Sequence, residues 1–223
     1  MNTPKAVIFD MDGVVVDSEP LHEQAFLDVF AELGLRDSHG LHFPSYYGRS
    51  DEAVWRDFMT LHRPSVGKDD LVSRKRDRFL ALLEKEEPIF TGLPELLDQL
   101  HARYPIALAS GSAHPIINGV LALRGLRRYF QAVVSAQDVG AEKPRPDIFL
   151  HTAKLINVPP KHCWVIEDSV AGVQGARAAG MTVIAITNSL PASSLSEAHH
   201  IVSSYEEIAN LLLPSQPPSP PAS

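Results

Sequence analysis

The sequence predicts an α/β fold: a parallel sheet covered by helices on both faces, with a helical segment inserted after the first strand. Three observations predict it. Short apolar runs alternate with helical patterns, which is the rhythm of βαβ units. The runs are almost continuously apolar, as strands buried on both faces must be. The stretch from Pro20 to Pro88 has a helical pattern and is too long for a loop inside a compact domain.

Taken in order, Ala6-Val7-Ile8-Phe9 is the first strand. Leu21, Ala25, Phe26, Val29 and Phe30 then recur at helical spacing, and Leu71 with Phe79-Leu80-Ala81-Leu82-Leu83 marks a second amphipathic stretch. Hinges are expected near Asp17–Glu19 and Pro88–Gly92. Pro105-Ile106-Ala107-Leu108-Ala109 is the second strand and Ala132-Val133-Val134 a short third. Trp164-Val165-Ile166 and Thr182-Val183-Ile184-Ala185-Ile186 are the fourth and fifth. The expected division is a core of residues 1–18 and 89–213, a helical insert of residues 19–88, and a disordered Pro/Ser-rich tail of residues 214–223.

Composition narrows the function classes. At 223 residues the chain suffices for one core domain with a smaller insert. A net charge of −7 argues against a general nucleic-acid binder, while leaving room for a phosphorylated small molecule. A single cysteine, Cys163, excludes an internal disulfide and a cysteine-rich zinc site. The N-terminus lacks the layout of a signal peptide, and no apolar stretch approaches the roughly 20 residues that span a bilayer. A cytoplasmic protein with no membrane partner is expected, with monomer as the default state.

The chemistry-bearing residues stand where strands end. Asp10 and Asp12 follow the first strand, with Gly13 behind them. Ligand sites of parallel α/β sheets lie beyond the carboxyl ends of the strands. Two carboxylates this close repel unless a cation or shared proton compensates, and oxygen-only donors suit Mg2+. A carboxylate can also attack phosphorus, with the second acting as general acid and base. Taken alone, two solvated turn acids explain Asp10-Met11-Asp12-Gly13 better.

Ser110-Gly111-Ser112 follows the second strand and opens a helical pattern, which makes an anion site or an ordinary N-cap. Lys143, within Lys143-Pro144-Arg145-Pro146, is a cation for a phosphoryl oxygen or a surface turn lysine. Glu167-Asp168-Ser169 follows the fourth strand, where acids are costly without a partner. Each station is weak alone. Nucleophile, anion cradle, cation and second acidic pair, in one order at strand ends, are the complement that phosphoryl transfer requires.

These residues resemble the haloacid dehalogenase superfamily from Ala6 to about Ile201. Asp10-Met11-Asp12-Gly13, Ser110, Lys143 and Glu167-Asp168 match its four motifs in turn. The insert, with Asp17-Ser18-Glu19-Pro20-Leu21-His22, is similar to the helical cap of the β-phosphoglucomutase-like subfamily. The resemblance implies a Rossmann-like three-layer core under a mobile cap. It implies Asp10 as nucleophile and Asp12 as general acid and base. Mg2+ would be held by Asp10, the Asp12 carbonyl and Asp168, with Glu167 a further ligand or supporting acid. Ser110, Gly111, Ser112 and Lys143 would bind the phosphoryl group. The aspartate at position 12 favours phosphate esters over carbon–halogen or phosphonate substrates.

In the insert, Gly48-Arg49-Ser50 resembles a loop that reaches the substrate in that subfamily, and Arg49 could clamp phosphate or sugar oxygens. His22 matches a histidine near that subfamily's hinge, which implies that it supports Asp12 or shapes the entrance, with a helix-capping or partly buried histidine as the alternative. Lys75, within Arg74-Lys75-Arg76, is read as part of a solvated helix face rather than as a distal phosphate ligand. The expected function is Mg2+-dependent hydrolysis of a small phosphate monoester, such as a sugar phosphate. A β-phosphoglucomutase-type phosphomutase is the alternative, followed by a non-catalytic binding protein of the same fold.

Overall fold

A computed structural model describes residues 3–46 and 51–213 of the chain. Six strands form one sheet in the order β3-β2-β1-β4-β5-β6, and every pairing is parallel. The strands are β1 (Ala6–Phe9), β2 (Ile106–Ser110), β3 (Ala132–Ser135), β4 (Cys163–Glu167), β5 (Thr182–Ile186) and β6 (His200–Val202). This order reverses direction at β1, so the crevice beyond the carboxyl ends of β1, β2 and β4 is the topological switch point. The register aligns those ends: Phe9 pairs with Leu108 on one side and Ile166 on the other.

The five expected strands are present to within a residue or two. The sixth, β6, escaped the sequence reading. It has three residues, lies at the sheet edge and begins with a histidine, so it offers no apolar run to detect.

Alternate side chains of the buried strands feed two cores. Val7, Phe9, Leu108 and Ile166 face α4 (Leu93–His101), α5 (His114–Ala122) and α9 (Tyr205–Leu212). Ile8, Ala107, Val165 and Val183 face α7 (Asp147–Leu155) and α8 (Val170–Ala178). Between β3 and α7 lies the short helix α6 (Ala136–Val139).

Between β1 and α4 the chain forms α1 (Glu19–Glu32), α2 (Asp51–His62) and α3 (Lys68–Glu86). Their shared interior is aromatic: Phe26, Phe30, Phe43, Trp55 and Phe58 are buried together, with the Phe30 and Phe58 rings stacked at 4.1 Å. The lower faces of α1 and α3 instead join the first core through Leu21, Ala25, Phe79 and Leu83. The insert therefore has its own centre and still rests on the sheet layer. Arg49 and the Pro/Ser-rich tail lie outside the described residues. No helix among the described residues is long and apolar enough to cross a membrane.

Candidate active site

β1 delivers Asp10 directly, and the Asp10 N–H still pairs with the Ile166 carbonyl at 2.9 Å. The chain then turns under itself, with the Met11 carbonyl accepting from Val14, Val15 and Val16. That turn needs Gly13, whose φ of +74° lies in the left-handed region and whose missing Cβ would sit 1.8 Å from Asp168 Oδ2. Any other residue there would displace the acid at the end of β4.

Two segments converge on Asp10, the loop that carries Lys143 and the end of β4 that carries Glu167-Asp168. Lys143 reaches in from the loop between α6 and α7, and its Nζ donates to Asp10 Oδ1 and Glu167 Oε1, each at 2.6 Å. Glu167 is fully buried, and its Oε2 accepts from the Asp168 and Ser169 N–H groups and the Ser169 hydroxyl. Space for it comes from Gly172 in α8, where a Cβ would lie 1.7 Å from Glu167 Oε1. The Ser169 hydroxyl also caps α8 by accepting from the Gly172 N–H. Ser169 thus caps α8 while Glu167 and Asp168 lie beside Asp10.

Carboxylate oxygens of Asp10, Glu167 and Asp168 lie within 4.8 Å of one another. One ammonium against three ionised carboxylates would leave two negative charges in excess. The electrostatic response is as expected: burial, together with Glu167 and Asp12, raises Asp10 to about 7 despite Lys143. Asp168 is likewise pushed up, by burial and then by Glu167 and Asp10. Burial disfavours the Lys143 charge, but Asp10 and Glu167 outweigh it and hold the ammonium above its ordinary range. A hard-oxygen donor set with surplus negative charge fits a divalent cation such as Mg2+.

Asp12 points elsewhere. Its Oδ1 accepts from the Ser18 hydroxyl at 2.6 Å and its Oδ2 from the Ser112 hydroxyl at 2.8 Å. The His22 Nε2 stands 3.8 Å from Oδ1. Burial alone would raise this carboxyl, but His22, Ser18 and Ser112 bring it down to about 2. Ser18 occupies the N-cap of α1 without a side-chain cap: its backbone is already helical there, and its hydroxyl donates to Asp12. Ser112 lies one residue before Ala113, the N-cap of α5, and its hydroxyl likewise serves Asp12. Ser110 is buried, and its Oγ accepts from the Ser112 N–H at 3.0 Å. A hydroxyl that accepts there still carries a proton to donate to an anion. Gly111 is exposed at the same turn.

Behind His22 the structure corrects the reading of Lys75. It does not belong to a solvated face: it is only 2% exposed, among Phe26 and Phe79. Its ammonium donates to Asp51 Oδ2 at 2.6 Å and to His22 Nδ1. The arginines on either side, Arg74 and Arg76, remain outside. Helical periodicity points 75 inward, and the anionic partner that makes this tolerable lies on another helix. With Nδ1 accepting, the His22 proton sits on Nε2 and faces Asp12. The imidazole is stacked on Phe79 at 4.2 Å, which fixes its plane.

Lys75, Asp51 and two residues after β5 were missed as site residues. Ser189 Oγ donates to Asp168 Oδ2, and Asn188 Nδ2 donates to the Gly13 carbonyl at 2.8 Å. The strand-end rule that found the other stations applies equally to Asn188 and Ser189.

Comparison with known proteins is consistent along the chain. The family model of the haloacid dehalogenase-like hydrolases matches residues 4–180. The chain is 35% identical over 182 residues to fructose-1-phosphate phosphatase YqaB of Escherichia coli (strain K12), covering 80% of this chain and 94% of that protein. It is 35% identical over 193 residues to hexitol phosphatase B of the same organism, covering 83% and 86% respectively. Among solved structures, a putative β-phosphoglucomutase from Thermotoga maritima is similar with a TM-score of 0.78 at 29% identity, covering 93% of this chain and 98% of that one.

Proposed function

The chain belongs to the haloacid dehalogenase-like hydrolase family, and from that premise we propose that it is a Mg2+-dependent phosphatase of small sugar phosphates that works through an aspartyl phosphate on Asp10. The observation that carries this reading is the division of labour after β1. Asp10 faces Lys143 and the acidic cluster, whereas Asp12 faces Ser18, Ser112 and His22. One carboxylate is placed among phosphoryl-binding and metal-binding groups, and the other among groups that manage a proton.

In the first step an Asp10 oxygen attacks phosphorus and the bond to the sugar oxygen breaks. Asp12 gives its proton to that leaving oxygen. Asp12 is ionised in the free protein, but a phosphoryl group bound beside it adds negative charge and raises its hold on a proton. In the second step Asp12 takes a proton from water, which attacks phosphorus and releases inorganic phosphate and free Asp10. Ser110, the Gly111 amide and Lys143 hold the equatorial oxygens throughout, and the Ser112 N–H, donating to Ser110 Oγ, orients that hydroxyl toward them.

Asp10, the Asp12 carbonyl and Asp168 would hold Mg2+, which would supply positive charge to the phosphoryl oxygens. Glu167, whose oxygens accept four hydrogen bonds, stands behind this set and anchors Lys143. Arg49 is proposed to meet the sugar or its phosphate from the insert.

The rival is a phosphomutase, favoured by the likeness to the putative β-phosphoglucomutase. It uses the same core groups and differs in whether water or a sugar hydroxyl receives the phosphoryl group. Incubation with fructose 1-phosphate, hexitol phosphates and Mg2+ should release inorganic phosphate. Conversion of β-glucose 1-phosphate to glucose 6-phosphate without free phosphate, given a bisphosphate primer, would establish the mutase instead.

A further inference from the structure

The loop after β5 touches two parts of the candidate metal site that are far apart in sequence. Ser189 Oγ donates to Asp168 Oδ2. The neighbouring Asn188 uses its amide group twice, donating to the Gly13 carbonyl at 2.8 Å and to Tyr205 Oη at 3.1 Å. Tyr205 in turn donates to the Val14 carbonyl at 2.7 Å. These contacts pin the turn that carries the Asp12 carbonyl. The segments meet without slack: a Cβ on Gly13 would lie 1.8 Å from Asp168 Oδ2 and 2.6 Å from Ser189 Oγ.

We propose that Ser189 is a positioning residue for the Mg2+ site, holding Asp168 by one carboxylate oxygen so that the other stays directed to the ion. Asn188 holds the turn after Asp12 by its bond to the Gly13 carbonyl. The proposal rests on the reading that Asp168 is a metal ligand. Its physical basis is pre-organisation. A carboxylate fixed at one oxygen loses little rotamer freedom when the ion binds, and hydrogen-bond partners of ligands set their orientation. No other hydroxyl is recorded on Asp168 among the described residues, so removing Ser189 frees the carboxylate to rotate.

The test compares the full-length wild type with Ser189→Ala, Ser189→Thr and Asp168→Asn. Mg2+ affinity is read without substrate from the Mg2+-dependent rise in Tm, and separately from Mg2+ activation of p-nitrophenyl phosphate turnover. Ser189→Ala should weaken Mg2+ binding by about 10- to 100-fold and regain most of its kcat at saturating Mg2+. Ser189→Thr, which keeps the hydroxyl, should restore wild-type affinity. Wild-type Mg2+ affinity in Ser189→Ala, whether or not its metal-free Tm falls, overturns the proposal while a weakened Asp168→Asn keeps the ligand assignment. Wild-type affinity in Asp168→Asn overturns the ligand assignment and the proposal with it.

Discussion

Asp12 and Asp10 differ by two positions in sequence and by several pH units in character, and their neighbours explain the difference. Asp12 is brought to about 2 by His22 and two hydroxyls, whereas Asp10 is raised to about 7 by burial and neighbouring acids. Asp12→Asn should lower kcat on a sugar phosphate by about 10²- to 10⁴-fold. With p-nitrophenyl phosphate, whose leaving group needs no proton, the first step should survive and a burst of nitrophenol should precede slow turnover. Steady-state and stopped-flow measurements on the two substrates check this.

The raised Asp10 also sets a sign for metal-free stability. Its folded value exceeds the ordinary 3.8, so its contribution is fully present below 3.8 and is lost as pH rises through about 7. Asp168 shifts in the same direction, while the Asp12 contribution is lost only as pH falls from 3.8 through about 2. The metal-free Tm should therefore gain from mild acid relative to pH 7 through these groups. Mg2+ affinity should rise as pH rises through the same window, because ion and proton compete. A calorimetric Tm series with and without Mg2+ checks both. Asp10, Asp12, Ser110 and Glu167-Asp168 could be picked out because each stands at or just after the end of a strand that hydrophobic pattern alone locates, and Lys143 because of the proline-rich run Lys143-Pro144-Arg145-Pro146 around it. Lys75 was not, because partners remote in sequence, Asp51 and His22, define its surroundings, whereas Ser189 stands after β5 and was open to the same strand-end rule.

Elements carry the site by leaving space as well as by placing side chains. α8 comes close enough to β4 that Gly172 alone makes room for Glu167 Oε1, the oxygen that holds Lys143. Alanine there gains up to about 1 kcal/mol of helix propensity but forces an overpacked contact costing about 1–3 kcal/mol. The overpacking should win, so Gly172→Ala should lower both the urea midpoint and kcat. In α3, Lys75→Met keeps the volume and removes a buried charge whose partner Asp51 is half exposed. Stability should hold or rise. His22 loses the donor that fixes its tautomer, so kcat should fall, by less than the roughly 10²-fold that a general acid itself contributes. Five strands were readable as apolar runs, and the helices of the insert as periodic ones. The edge strand β6 was not, because three residues with one outward isoleucine carry no period.

Across the whole molecule, one sheet topology gathers residues from the beginning, middle and end of the chain at a single switch point. The parallel α/β architecture was legible in the alternation of strand and helix patterns. The way the insert rests on the core was not, since Leu21 and Ala25 of α1 look no different in sequence from Phe26 and Phe30, which face the aromatic centre. The central claim is that this arrangement makes Asp10 a nucleophile. Its most direct test is rapid acid quench of the Asp12→Asn protein during the p-nitrophenyl phosphate burst, followed by digestion and mass spectrometry. The peptide containing Asp10 should carry a phosphoryl group, formed at the rate of the nitrophenol burst and absent from Asp10→Asn. A burst without phosphate on that peptide, or undiminished turnover by Asp10→Asn, would contradict the account.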